Sequence, residues 1–279
     1  MKRIGIYAGK NLLRIILLLF AVSILTFALV SASPIDPLQA NVGQAALGSM
    51  SKEQKEKLRS YWGVDEPPVQ RYLNWLNAFI KGDGGISLLY RQPVTKVIAV
   101  KLGNSLFLMG LAWVVSGLVG FLLGVIAGVF QGRLPDKIIK GYSLVIASTP
   151  SFWLALLLMY IFAVRLGWFK VVSTDSIGGM ILPVATLTIP MISSYARQIR
   201  AALLEELNAN YVIGARARGI PERRIIWGHV LPNAILPIIT LLGLSVGHLL
   251  GGAAIIETIF SWQGIGNMVV EAIRVRDYP

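Results

Sequence analysis

The sequence predicts an all-α fold, a polytopic bundle of membrane helices with a small helical insertion outside the bilayer. Three observations predict it. Hydrophobic residues make up 55% of the 279 and charged residues 14%, with a mean hydropathy of +0.66, whereas soluble domains carry about 25% charge. Five apolar runs long enough to span recur at 15–32, 105–130, 142–164, 179–195 and 234–256. The lysines and arginines fall mostly between these runs, as they do in loops that hold a membrane protein in its orientation.

The first run follows Lys2, Arg3, Lys10 and Arg14. Ser31-Ala32-Ser33 offers small residues for cleavage, but the apolar core of a signal peptide is about 7–15 residues and this run is longer. Residues 1–32 therefore read as a cytoplasmic tail and an uncleaved first helix.

Residues 33–103 are polar and punctuated by Pro34, Pro37, Pro67 and Pro68. Ser51 and Gln54 have capping-box spacing. Tyr72, Leu73, Trp75, Leu76 and Phe79 recur at helical spacing within 69–80. This stretch reads as an extracytoplasmic helical subdomain. Its nine Lys and Arg do not oppose that placement, since long loops translocate largely regardless of charge. A packed cap and a contact for an external partner are both open readings of it.

Residues 104–279 form the remaining core. Run 105–130 ends at a basic loop, 131–140. Run 142–164 contains Pro150, and run 179–195 contains Pro183 and Pro190. A basic segment at 197–229 precedes run 234–256, and 257–279 is amphipathic. Arg133, Lys137 and Lys140, with Arg197, Arg200, Arg216, Arg218, Arg223 and Arg224, join the basic N-terminus on one side. Arg165, Lys170, Arg274 and Arg276 lie opposite. The bias puts the N-terminus and the 197–232 segment in the cytoplasm. Five spans would leave the C-terminus outside, so a sixth is expected beyond Pro279.

Several chemistries are excluded. There is no cysteine, hence no disulfide and no thiolate chemistry. Only His229 and His248 could supply imidazole, and neither a metalloprotease motif nor a P-loop is present. The net charge of +12 is distributed over loops rather than one soluble face, which speaks against nucleic acid.

Gly120, Gly124 and Gly128 form one stripe at four-residue spacing, and Gly243, Gly247 and Gly251 another. Such stripes let helices approach closely in lipid. Internal packing, a subunit interface and a pathway wall are all open readings. Gly243-Leu-Ser245-Val-Gly247 matches a nucleophile motif, but that motif works on a strand-to-helix turn. Here it sits within a helix, and His248 is read as pointing away from the serine. A hydrolase is not supported.

In the basic segment, Tyr211 to Arg218 suits a short helix and Gly219 a left-handed residue after it. Pro221 suits the first turn of a second helix and Glu222 its positive end. Two helices bent at a glycine make a rigid knob. A helix lying on anionic lipid is the simpler alternative.

These residues resemble the transmembrane subunits of bacterial ABC importers, in particular the dipeptide, oligopeptide and nickel permease group. Ala215-Arg-Ala-Arg-Gly219 resembles that group's cytoplasmic motif, ending at Leu231-Pro232, with Ile213 and Gly214 replacing the usual Glu-Ala. Gly82-Asp-Gly-Gly-Ile-Ser87, Arg91-Gln-Pro-Val94, Pro150-Ser-Phe-Trp153, Ile181-Leu-Pro183, Glu257-Thr-Ile-Phe-Ser-Trp-Gln-Gly264 and Arg276-Asp-Tyr-Pro279 also have counterparts. Gln263 stands where Pro is common.

The resemblance implies a non-catalytic subunit that forms half of a translocation pathway with a homologous permease. Two cytoplasmic ATPase subunits would bind ATP and Mg, which this chain would not, and a substrate-binding protein would dock outside. Ala215 and Gly219 would allow close approach of the ATPase; Arg216, Arg218, Glu222 and Arg223 would supply polar contacts. Substrates would be di- or oligopeptides, or nickel as a chelate, imported across the bacterial cytoplasmic membrane. A secondary transporter or channel is the alternative. It would need facing ionisable groups within the spans, where the sequence offers only His248.

Overall fold

The computed structural model describes residues 2–32, 50–61, 66–87, 89–170, 177–275 and 277. Expectations resting on Pro34, Pro37, Arg276, Tyr278 and Pro279 lie outside them. The helices are α1 (Lys2–Ser31), α2 (Lys52–Tyr61), α3 (Pro68–Ile80), α4 (Val94–Val129), α5 (Leu134–Ala147), α6 (Ser151–Leu158), α7 (Ile177–Leu207), α8 (Asn210–Ala217), α9 (Glu222–Ile225), α10 (Leu231–Ile259) and α11 (Ile265–Val275). Among the described residues the only β pairing is the isolated bridge between Ile86 and Pro93. An all-helical answer follows from the apolar composition, because a helix satisfies its own backbone polar groups in hydrocarbon. Among the described residues, four helices are long and apolar enough to cross a membrane, and a fifth span arises if the bent α5–α6 pair counts as one.

Two compact units emerge: Met1–Val97 with Ala272–Pro279, and Ile98–Glu271. In the first, Ser51 and Gln54 form the anticipated capping box. The Gln54 N–H donates to Ser51 Oγ at 3.2 Å, and the Ser51 N–H donates to Gln54 Oε1 at 3.0 Å. α3 lays its aromatic face on α1. Tyr72 meets Phe27 edge-on at 5.3 Å, and the Tyr72 hydroxyl is 2.9 Å from Ser23 Oγ. Two of the singled-out motifs meet here. Asp83 Oδ1 accepts from the Gly85 N–H at 2.9 Å, which shapes the turn, and Ser87 Oγ donates to Asp277 Oδ2 at 2.5 Å.

In the second unit, α4 and α7 are in contact along the first glycine stripe. A Cβ on Gly120 would lie 2.6 Å from Tyr195 Cβ, one on Gly124 2.7 Å from Ile199 Cβ, and one on Gly128 2.7 Å from Leu203 Cδ2. This stripe is an internal seam. Gly124→Val should therefore cost about 1–3 kcal/mol through overpacking, read as a lower melting temperature in detergent. Gly247→Val is the control, since nothing lies within 4 Å of a Cβ there.

Two expectations are corrected. The run 142–164 is not one straight span. α5 ends at Ala147, and α6 leaves it at 102°. Pro150 withholds an N–H, adopts ψ 137 and disfavours helix in the residue before it. The chain past Leu158 then continues as a π-helical turn, Met159–Arg165. The spans also outlast their apolar runs: α7 continues to Leu207, and α10 reaches Glu257. Arg200 and Glu257 therefore lie on long spanning helices, where only His248 had been expected. Hydropathy marks where lipid could cover a helix, but Arg, Gln, Glu and Leu continue a helix readily outside it.

Candidate functional site

The basic segment is built as an extension of the bundle. α8 ends in a Schellman motif: the Gly219 N–H donates to the Arg216 carbonyl at 2.9 Å, and the Ile220 N–H to the Ala215 carbonyl at 3.2 Å. Gly219 has φ +73, the conformation anticipated for it. Pro221 sits at the N-cap of α9 rather than in its first turn, with φ −63 and ψ 140. α9 then passes through a π-helical turn, Ile226–Val230, directly into α10, where Pro232 falls in the first turn and breaks nothing. The second arm of the knob is thus the end of a span.

The arms are held from both sides. On the outside, Arg216 closes across the bend onto Glu222, with Nη2 donating to Oε1 at 2.5 Å and Nε to Oε2 at 3.1 Å. The hydrogen bond to Glu222 raises the Arg216 pKa above its ordinary value. On the inside, Val212, Ala215, Ile225 and Val230 share one apolar cluster with Tyr195, Ile199 and Leu203 of α7 and with Ala234 and Ile238 of α10.

The proposed contact residues therefore divide. Ala215 is only 2% exposed and packs inward, so its small side chain serves the segment's own core. Arg216 and Glu222 engage each other, and Arg218 Nε donates to the Gly214 carbonyl at 3.3 Å. Arg223 stays outward. With Arg224, Pro221, Trp227 and Gly228 it lines an open groove. Trp227, 59% exposed, was not singled out from the sequence. Its signal was an aromatic residue three beyond Arg224 on the same helical face.

A second feature lies in the membrane region. A cavity of about 480 Å³ opens between α7 and α10, bounded by Ser151 at the start of α6. Its walls mix Leu187, Pro190, Met191, Leu244 and Ile256 with Ser194, Gln198, Ser245 and His248. Among the described residues, no Asp, Glu, Lys or Arg lines it. Ser245 and His248 are three residues apart and share this wall, which corrects the expectation that the histidine points away. The Ser245 hydroxyl is engaged with other groups. Ser245 Oγ donates to the Leu242 carbonyl at 2.7 Å and accepts from Tyr195 OH at 2.5 Å and Trp113 Nε1 at 3.1 Å. Among the described residues, nothing lies within 4 Å of a Cβ built on Gly243, Gly247 or Gly251.

The motif beginning at Glu257 also resolves. Glu257 is fully buried. Its carboxylate accepts from Ser105 Oγ at 2.5 Å and from the N–H groups of Gly266 at 2.8 Å and Asn267 at 3.2 Å. It thus caps the positive end of α11. A Cβ on Gly264 or Gly266 would collide with this carboxylate, which explains glycine at both positions. Lys101 and Asn104 hold Gln263 in the intervening turn. Glu257→Ala should cost about 1–3 kcal/mol by stripping partners from buried donors, again read by detergent melting.

Comparison with known proteins agrees with this architecture. Residues 120–279 match the family described as "Binding-protein-dependent transport system inner membrane component". Residues 7–101 match its N-terminal companion, "Binding-prot-dependent transport system membrane comp, N-term". The glutathione transport system permease protein GsiC of Escherichia coli (strain K12) is 35% identical over 273 residues, covering 98% of this chain and 88% of that protein. Its counterpart in Shigella flexneri serotype 5b is 34% identical over the same length and shares. A crystal structure of an amino acid ABC transporter with histidines has the same fold, with a TM-score of 0.55 at 22% identity over 66% of this chain and 82% of that one. The chain belongs to the family of inner-membrane permease components of binding-protein-dependent ABC importers.

Proposed function

We propose that this permease subunit takes an ATPase subunit on the surface around the Gly219 bend, and that its substrate is a small peptide-like molecule. The observation that carries the coupling reading is the continuity of the bend with two spans. α7 leads into α8, and α9 leads without interruption into α10. A push on the bend is therefore a push on two membrane helices. The knob is stiff because its core is shared with those helices and Arg216 clamps Glu222 across the turn.

The remaining parts of the reading follow. The bend lies on the cytoplasmic side with the N-terminus, as the distribution of Lys and Arg favours. ATP and Mg belong to two ATPase partners, and the chain itself is not catalytic. A homologous permease covers the open face carrying Gly243, Gly247 and Gly251, where a close helix could seat. A binding protein delivers substrate from outside. The α7–α10 cavity lies on the route. Its hydrogen-bonding groups without fixed charge suit amide-rich molecules, and peptide-like cargo also fits the glutathione permeases named above. This favours peptides over nickel as a chelate.

The test is affinity purification of the tagged protein from its own cells in mild detergent, followed by reconstitution into vesicles. Recovery of ATPase subunits and ATP-dependent uptake of labelled glutathione or Ala-Ala is expected. A chain that purifies without an ATPase, under conditions that keep other membrane complexes together, would refute the coupling reading. Uptake of nickel chelate alone would refute the peptide reading.

A further inference from the structure

Asp136 lies in the first turn of α5 and is 1% exposed. Its Oδ1 accepts from Arg200 Nε at 2.6 Å, and its Oδ2 accepts from Arg200 Nη2 at 2.9 Å. The Gly132 N–H adds a third bond to Oδ2 at 2.9 Å. Arg200 stands on α7, in its last turns, near the start of the basic segment. A fork of this kind fixes direction as well as distance, which an ammonium cannot reproduce.

The ion pair is not the only tie between these helices. Ser193 Oγ of α7 donates to the Ser143 carbonyl of α5 at 3.1 Å, and Tyr142 OH of α5 donates to the Ile189 carbonyl of α7 at 2.8 Å. α5 is thus fastened to α7 along much of its length. Its far end is different. At the 102° break before α6, the Ser148 and Thr149 hydroxyls bond back to the Leu144 and Val145 carbonyls of α5 itself. Pro150, which follows them, supplies no N–H. One end of α5 is bolted and the other is a corner.

We infer that Asp136 and Arg200 are a positioning pair that makes α5 travel with α7 as one body. Displacement of the basic segment is thereby delivered to the corner at Pro150, instead of being lost as slippage between α5 and α7. The inference rests on the proposed docking of an ATPase at the Gly219 bend. It adds a route by which that event reaches α6, which borders the cavity at Ser151. The pair resists opening because either charge alone would be left without its counter-ion in a largely buried place.

The experiment uses the whole complex in vesicles, with whichever of labelled glutathione or Ala-Ala the unaltered complex takes up. Asp136→Asn and Arg200→Lys should keep their ATPase subunits and hydrolyse ATP, while uptake per ATP falls by about tenfold. A purely structural role would instead lower assembly and hydrolysis together. The chain has no cysteine, so Ser143→Cys with Ser193→Cys introduces one clean cross-link between α5 and α7. Oxidising that pair should leave uptake intact in the otherwise unaltered chain and restore it in the Asp136→Asn chain. Unchanged uptake per ATP in both single variants would overturn the inference. So would a block of uptake by the cross-link alone, and that arm remains decisive if the single variants fail to assemble. Absence of an ATPase from the unaltered complex is a separate result, which would remove the docking reading and this inference with it.

Discussion

Gly219→Pro is expected to abolish uptake, with a fall of at least about a hundredfold, while the chain still inserts and still melts as a folded bundle. Proline holds φ near about −65° and has no N–H. Gly219 has φ +73, and its N–H closes the α8 terminus onto the Arg216 carbonyl. The substitution therefore cannot keep the bend, and the outer clamp from Arg216 to Glu222 goes with it. Room is not the issue, because nothing lies within 4 Å of a Cβ at this position. That separates a conformational cause from a steric one in a graded series. Gly219→Asn should retain most uptake, since asparagine tolerates the left-handed region. Gly219→Ala should lose several-fold, from a strain of about 1–2 kcal/mol. The check is vesicle uptake alongside detergent melting. Equal uptake by the Asn and Pro variants would show that the bend does not matter.

The second large effect concerns the outward groove. Trp227→Ala combined with Arg223→Ala should weaken ATPase attachment by about thirtyfold, the loss usual for an aromatic or arginine anchor worth about 2 kcal/mol. Neither side chain belongs to the buried cluster of the segment, so the melting temperature should hold. Ala215→Leu should behave in the opposite manner. Ala215 faces the cluster of Val212, Ile225 and Val230, and overfilling it should lower stability first and attachment only as a consequence. Binding of purified ATPase subunits to each variant in detergent, with melts on the same samples, distinguishes an anchor from a core residue.

Much of this architecture was legible in the residues. Gly219 and Pro221 announced the bend, because few other residues suit those backbone positions. Ser51 and Gln54 announced a helix start, and a capping box is a purely local device. Apolar runs announced the spans. What stayed hidden depended on which residues meet in space. The residues of the basic segment could not say that Ala215 turns inward while Arg223 turns outward. The two glycine stripes have the same spacing, yet one is packed against Tyr195, Ile199 and Leu203 and the other is open. Asp136 and Arg200 are far apart in the chain and ordinary in composition. Glu257 opened the amphipathic stretch 257–279, with nothing to show that its partners are N–H groups of a helix that begins several residues later. Pro150 announced a disturbance without its size, because the same residue type sits inside α7 at Pro183 and Pro190 and leaves that helix unbroken. Neighbouring contacts decide whether a membrane proline is absorbed or makes a corner.

An ATPase seated on the surface around the Gly219 bend can be caught in place. The most direct measurement is photo-cross-linking in living cells, with a benzophenone amino acid at Trp227 and, as an inward-facing control, at Val212. Mass spectrometry then identifies what is attached. An ATPase subunit joined to position 227, with no such product at 212, is the expected result. Lipid alone at 227, or the same products at both positions, would contradict it.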